Sequence, residues 1–397
     1  SYWTDITPAL VITLGLIAII IVNMSSVRFY GEAEVVTASI KVICFLGLII
    51  VSLIITLGGT SSGDRIGFKY WKEPGPFVSF RGVNGGAGDL LSLLSAFINA
   101  SFSFIGVETV VVTAAETINP HKSIPKAMNR VTYRIFFFYV LGALLIGIIV
   151  PSDDPALLGG GGNANSSPFV IAIKNSGITV LPSIINACIL TSAWSAGNSH
   201  CYIGARMITA MAVDRQLPQF FSKVNRWGVP YYAVITSFMF GALAYLGLGS
   251  SGTTQAFLWL VNLSTMAGLL AWMTLCICFI RYERACRIQK IDRSEFPFVS
   301  SYQPYSAYIG AIGSGIIVIF SGFHVFVPGH WSFASFLSEY VGLIIYIVPY
   351  VFWKIFKRTS FAKSSEIDLF SGRFNSSNAP EEPVPTTWWG KFIDWLI

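Results

Sequence analysis

The stretch FSFIGVETVVVTAAE, Phe102 to Glu116, lies inside one of the most apolar regions of the chain and places Gly106 and an ionisable Glu108 in its middle. A charged side chain at the centre of a membrane span costs about 2.5–3.5 kcal/mol on insertion scales, so such residues face a cavity or a partner. Glycine weakens a helix by about 1 kcal/mol relative to alanine. Ser101 and Ser103 stand just upstream. Non-helical backbone is tolerated at membrane depth only where it is buried in protein or lines water. Discontinuous helices in transporters use the backbone groups so released to hold substrate and ions. The stretch therefore reads as a broken helix lining a transport site, or as a kinked structural helix whose Glu108 bonds a neighbour.

Composition agrees with a membrane setting. Of 397 residues, 53% are hydrophobic and only 12% charged, against about 25% charged in a soluble domain, and the mean hydropathy is +0.63. The net charge of +6 does not point to nucleic acid, because the basic residues lie between apolar runs and form no single patch. A helix crossing the hydrocarbon core needs about 20 apolar residues. Nine candidate runs meet or approach that length, at roughly 6–24, 33–58, 89–115, 132–150, 178–212, 230–249, 255–281, 307–328 and 336–356. Residues 6–24 are too long a run, and lack the basic leader, for a cleavable signal peptide. The fold class expected is an all-α polytopic membrane protein, with a membrane domain over 1–358 and a polar tail over 359–397. The tail ends in TTWWGKFIDWLI, an amphipathic segment able to lie on a membrane surface.

Loop charges orient the chain. His121, Lys122, Lys126, Arg130 and Arg134, then Arg215, Lys223 and Arg226, then Arg281, Arg284, Arg287, Lys290 and Arg293, and finally Lys354, Lys357 and Arg358 fall on one side. The positive-inside rule makes that side cytoplasmic, together with the C-terminus, and puts the first residues outside. The segment 59–88 resists, carrying Arg65, Lys69, Lys72 and Arg81 on the opposite side. The segment NPHKSIPKAMNRVTYR reads as a cytoplasmic loop, with room for a short surface helix.

Other residues are open to two readings. Lys41, eight residues into its run and about 12 Å along a helix, either snorkels or acts as a fixed cation or proton carrier. In SAWSAGNSHCYIGAR, Ser195, Gly197, Asn198 and Ser199 either allow close helix packing or line a site, and His200 is either packed or a titrating group. Asn262, Ser264 and Thr265 divide between helix glue and site wall. The six cysteines read as packing residues. Cys276 and Cys278 have no partner pair for zinc, and no metal or other cofactor is expected. Gly159–Gly162 reads as a linker, not a phosphate cradle. No Ser-His-Asp order, HExxH or Walker loop is present, so an enzyme is not indicated.

FSFIGVE followed by AAETINPHKSIPKA resembles the amino acid permeases of the amino acid–polyamine–organocation superfamily, with the fungal plasma-membrane permeases the most similar. RFYGEAEVVTASIKV, SAGNSHCYIGARMITAMAVDRQLPQFFSKVNRWGVPYYAV, FLWLVNLSTMAGLLAWMTLCICFIRYERA and EIDLFSGR extend the resemblance over about residues 5–375. It implies a leucine-transporter-like fold of twelve spans, in which two inverted five-helix repeats form the core. On that pattern the nine runs correspond to helices four to twelve. The expectation is then a chain lacking the first three helices, including the glycine-rich break that binds the substrate carboxylate, and unable to transport alone.

The resemblance also implies roles. The sixth helix would unwind over Ser103, Ile105 and Gly106, offering carbonyls to a substrate ammonium, with Phe102 as an aromatic lid. Glu108 would serve coupling or pH response, and Lys41 would stand where sodium sits in sodium-driven relatives, favouring proton symport. Ser195, Asn198 and Ser199 match the eighth helix beside it, and Ser264 and Thr265 lie near the side-chain pocket. The partners implied are an amino acid, protons, the lipid bilayer and, through the tail, trafficking or ubiquitylation machinery, with no nucleic acid. Proton-driven import across a plasma membrane is the expected activity. A polyamine or other organocation carrier, a non-transporting sensor and an inert fragment are the alternatives.

Overall fold

The structure, a computed structural model, describes residues 7–59, 65–76, 85–117, 119–155, 167–175, 181–249, 251–293, 302–329 and 331–371, with a few isolated positions between and beyond them. Gly159–Gly162, Arg81, the side chain of Phe102 and most of the terminal amphipathic segment lie outside the described residues. Of the described residues 76% are helical, and no strand occurs among them. The helices are α1 (Pro8–Met24), α2 (Val27–Thr56), α3 (Lys69–Lys72), α4 (Gly86–Phe104), α5 (Thr109–Val112), α6 (Pro120–Ile149), α7 (Pro168–Asn175), α8 (Leu181–Val213), α9 (Tyr231–Met239), α10 (Ser251–Ile288), α11 (Tyr305–Phe320) and α12 (Phe333–Phe356). A 3₁₀ stretch over Phe240–Leu248 continues α9.

Among the described residues, five segments are long and apolar enough to cross a membrane: Val27–Thr56, Pro120–Ile149, Tyr231–Leu248, Gln255–Ile288 and Phe333–Phe356. Pro8–Met24 and Tyr305–Phe320 are shorter apolar helices. The 33-residue α8 is not among the five, because Ser192, Ser195, Asn198, Ser199 and His200 dilute its middle. Large apolar side chains point outward along the helices, as with Ile43 (70% exposed), Ile309 (72%) and Ile355 (71%). A soluble surface rarely exposes so much contiguous apolar area, and lipid is the solvent that favours it. Many buried or lipid-depth hydroxyls are satisfied within their own helices, as when Ser52 Oγ donates to the Leu48 carbonyl at 2.7 Å and Thr265 Oγ1 to the Val261 carbonyl at 3.1 Å.

The chain divides into two compact units, one of residues 1–92 and 133–254 and the other of 93–132 and 255–397. In the first, α8 packs on α1, α2, α7 and α9. One apolar cluster joins Leu48 and Ile55 of α2, Ile148 and Ile149 of α6, Phe169–Ile173 of α7 and Ile185 of α8. A second joins Cys201 and Ala205 of α8 to Ala233 and Val234 of α9, with Ile19, Ile20 and Met24 of α1 against it. The approach of α8 to α9 depends on Gly204, where a Cβ would stand 2.6 Å from Ser237 Oγ. In the second unit, Met266, Leu269 and Leu270 of α10 pack with Val318 of α11 and Leu343 of α12.

One local reading needs correction. NPHKSIPKAMNRVTYR is no loop: it forms the opening turns of the 30-residue α6, with Pro125 inside the helix. Pro120 at the helix start sacrifices no intrahelical bond, and the Asn119 carbonyl accepts from the Lys122 and Ser123 amides at 3.2 and 3.0 Å. The start of the polar tail is bonded to α10. Arg281 Nη2 of α10 donates to the Ala362 carbonyl at 2.7 Å, and Gln289 Nε2 donates to the carbonyls of Ser364 and Ile367 at 3.1 and 2.8 Å.

Candidate functional site

The helix that starts at Gly86 stops at Phe104, in the second unit. Residues 105–108 form turns before α5 begins at Thr109. Gly106 sits at φ +105°, a conformation that costs any residue with a Cβ. No atom lies within 4 Å of where that Cβ would be, so backbone conformation and not crowding requires the glycine. The Gly106 carbonyl accepts from the Thr109 amide at 3.1 Å and from Thr109 Oγ1 at 2.5 Å.

The Glu108 carboxylate turns back over this break. Its Oε2 accepts from the Gly106 amide at 3.2 Å and from Trp272 Nε1 of α10 at 2.7 Å. The same helix approaches the turn at Gly268, where a Cβ would come within 2.8 Å of Ile105 Cδ1. Glu108 thus bonds a neighbour, and the helix is broken at residues 105–108. Ser103 and Ser264 are exposed, and Thr265 is half-buried. Asn262 acts as glue, its Nδ2 donating to Glu339 Oε1 of α12 at 3.0 Å. His324 Nε2 lies 3.9 Å from the same oxygen.

Lys41, Ser195, Asn198 and Ser199 belong to the first unit and come together there. Lys41 Nζ donates to Ser195 Oγ at 2.8 Å, and Ser195 Oγ donates to Glu34 Oε2 at 2.6 Å. Ser199 Oγ donates to the other Glu34 oxygen. Thr37 Oγ1 lies 3.1 Å from Glu34 Oε2 and 3.2 Å from Ser195 Oγ. Glu34, Thr37 and Lys41 follow the i, i+3, i+7 rule for one helix face, while Ser195 and Ser199 lie one turn apart on α8. Ser195 and Asn198 are each 1% exposed. Asn198 Oδ1 accepts from Asn23 Nδ2 of α1 at 2.7 Å, tying a third helix to the cluster. His200 is exposed on α8.

The sequence reading missed Glu34, Glu339 and Trp272. Glu34 was detectable as the acidic partner two turns before Lys41 on the same face. Glu339 was detectable as the one acidic residue in the apolar run 336–356. Trp272 carried no signal beyond its place in another apolar run.

Helices of spanning length and an interrupted helix with a carboxylate folded over its break define a polytopic α-helical membrane protein. The chain belongs to the amino acid permease family: the family model described as Amino acid permease matches residues 1–366. It is 40% identical over 378 residues to the dicarboxylic amino acid permease of Saccharomyces cerevisiae, covering 94% of this chain and 62% of that protein. It is 41% identical over 412 residues to the proline-specific permease of the same yeast, covering 100% of this chain and 65% of the relative. To the yeast lysine-specific permease it is 37% identical over 396 residues, with 99% and 64% covered. The chain therefore spans a little under two thirds of the length of these relatives.

Proposed function

We propose that this chain is the greater part of a secondary active transporter that imports amino acids by proton symport, working by alternating access around the interruption at Ile105–Glu108. The observation that carries the reading is that interruption, with Gly106 at positive φ and its amide bonded to the half-buried Glu108 carboxylate. A membrane protein tolerates non-helical backbone at such depth where it lines a cavity, and midplane breaks are where secondary transporters bind their cargo. Family membership supports the cargo class. The relatives named for dicarboxylic amino acids, proline and lysine stand at 40%, 41% and 37% identity. What those substrates share is the α-amino and α-carboxyl pair, so the proposal is made at that level.

In this reading Ser103, Ile105 and Gly106 present main-chain groups to the substrate ammonium, Phe102 closes over it, and Ser264 and Thr265 face its side chain. Glu108 and Lys41 carry the proton coupling, with Ser195, Asn198 and Ser199 holding the lysine's surroundings. The protein works in the plasma membrane with its C-terminus in the cytoplasm, where the tail meets trafficking machinery. The test is uptake of a labelled amino-acid panel by the full-length protein in cells lacking their own permeases, with and without an inward proton gradient. Gradient-driven accumulation of at least one amino acid is expected. A protein that reaches the surface and moves none of them, but carries a polyamine or choline, would replace amino acids with organocations.

A further inference from the structure

We propose that Glu34 is the terminus of a proton relay that begins at Lys41 and runs through the Ser195 hydroxyl, an inference that rests on the proton-coupled reading above. The donor order is continuous: Lys41 Nζ donates to Ser195 Oγ at 2.8 Å, and Ser195 Oγ donates its single proton to Glu34 Oε2 at 2.6 Å. Both ends lie on α2, two turns apart, and α8 supplies the hydroxyl between them. Ser195 is 1% exposed, so bulk water does not compete for its bonds.

The transfer balances. A Lys41 N–H bond breaks as that proton bonds Ser195 Oγ. The original Ser195 O–H bond breaks as its proton bonds Glu34 Oε2. Ammonium and carboxylate become amine and carboxylic acid, Ser195 ends as it began, and the net charge is unchanged. Such a relay interconverts a charged pair and a neutral pair at a depth where the difference in solvation is large. It also joins α2 to α8 in one state more strongly than in the other, the requirement for coupling protonation to helix movement.

The groups around the relay are few. From α8, Ser199 donates to Glu34, and Tyr202 stacks on Tyr30 of α2 at 4.1 Å between ring centroids. The Arg206 guanidinium lies over the Tyr202 ring at 3.8 Å. Arg28 and Glu32 of α2 pair with each other on the exposed side at 3.0 Å. Helix α1 brings no titratable residue, only Asn23.

The experiment compares wild type, S195A, S195T, E34Q and E34D in the full-length protein, in permease-deficient cells. Two quantities are read with an amino acid that the wild type carries: accumulation under an inward proton gradient, and exchange of labelled for unlabelled substrate without one. The ratio of accumulation to exchange should fall about a hundredfold in S195A and E34Q, the lower range for loss of a positioned proton transfer. It should return in S195T, which keeps the hydroxyl, and in part in E34D, which keeps the acid. A merely structural lesion lowers both quantities together and leaves the ratio alone, and that result in S195A and E34Q overturns the relay. S195T behaving like S195A overturns it as well. A wild type that accumulates no amino acid under the gradient removes the underlying function, and is recognised before any variant is read.

Discussion

Glu34 and Glu108 are the same side chain in two different kinds of helix. Glu34 sits in the uninterrupted 30-residue α2, where every nearby amide is committed to the helix. Its carboxylate therefore takes hydroxyl donors, two of them from α8. Glu108 sits just after a helix has stopped, where amides are available, and its carboxylate takes one from its own segment and an indole N–H from α10. A continuous helix makes a buried acid depend on a partner helix. A broken one lets the acid stabilise the break itself. The first arrangement couples two elements, and the second fixes a local backbone shape.

The largest effect that would break this contrast is expected at Glu108. Both of its bonds go to one oxygen, Oε2, so Glu108→Gln can keep both with its carbonyl oxygen and change only the charge. The loss in stability should be small, about 1 kcal/mol from weakened charge-assisted bonds. Gradient-driven uptake should fall about a hundredfold if the carboxylate exchanges protons. Measured together, thermal unfolding in detergent and uptake separate the two roles. A Gln variant with wild-type uptake would reduce Glu108 to a cap on the break. Trp272→Phe, which removes the donor and leaves the charge, should cost about 1–2 kcal/mol, read by the same unfolding assay.

Two glycines sharpen the comparison next. Gly106 has open space around its missing Cβ but a φ of +105°, whereas Gly204 has only 2.6 Å to Ser237 Oγ. Gly106→Ala should destabilise by about 1–3 kcal/mol through backbone strain. Gly204→Ala should cost a similar amount, about 1–3 kcal/mol, through overpacking. The rescue differs. Ser237→Ala removes the clashing oxygen and should restore much of the stability of Gly204→Ala. No side-chain deletion should restore Gly106→Ala. Denaturation midpoints of the single and double variants decide it, and rescue of Gly106→Ala by trimming any neighbour would mean that crowding, not φ, shapes the break.

The same contrast explains what was legible in the sequence. Gly106, Glu108 and Lys41 stand out because each is foreign to an apolar run, and composition alone marks them. Glu34 does not stand out, because it lies beside Glu32 at the polar edge of the run. Only the structure separates Glu32, paired outward with Arg28, from Glu34, turned toward α8. Trp272 was hidden for the opposite reason, an aromatic donor among aromatics. The opening of α6 was misread because two prolines and several cations resemble a loop. Yet Pro120 begins the helix, where its missing N–H costs no intrahelical bond, and Pro125 lies inside it.

A third carboxylate carries the comparison into water, with the smallest expected effect. Asp368, in the tail, accepts the amides of Phe370 and Ser371 at 2.9 Å each through one oxygen, the same bond that Glu108 makes to Gly106. Hydrogen bonds from the Ser371 side chain, then from the Ser371 and Phe370 amides, hold its carboxyl down from 3.8 to about 2. The sign follows from the lowered value. The stabilisation of the turn is complete above the ordinary 3.8 and is lost as the pH falls from there through about 2. A spin label at exposed Ser365, introduced as Ser365→Cys, should gain mobility over that window and regain order on return to pH 5. Asp368→Asn, which keeps an acceptor but cannot titrate, should flatten the response. Because Asp368 is fully exposed, water can replace its bonds, and the change should be confined to the tail. A label response centred well above 3.8 would show that another group holds the segment against α10, and would separate the water-exposed turn from the one built around Glu108.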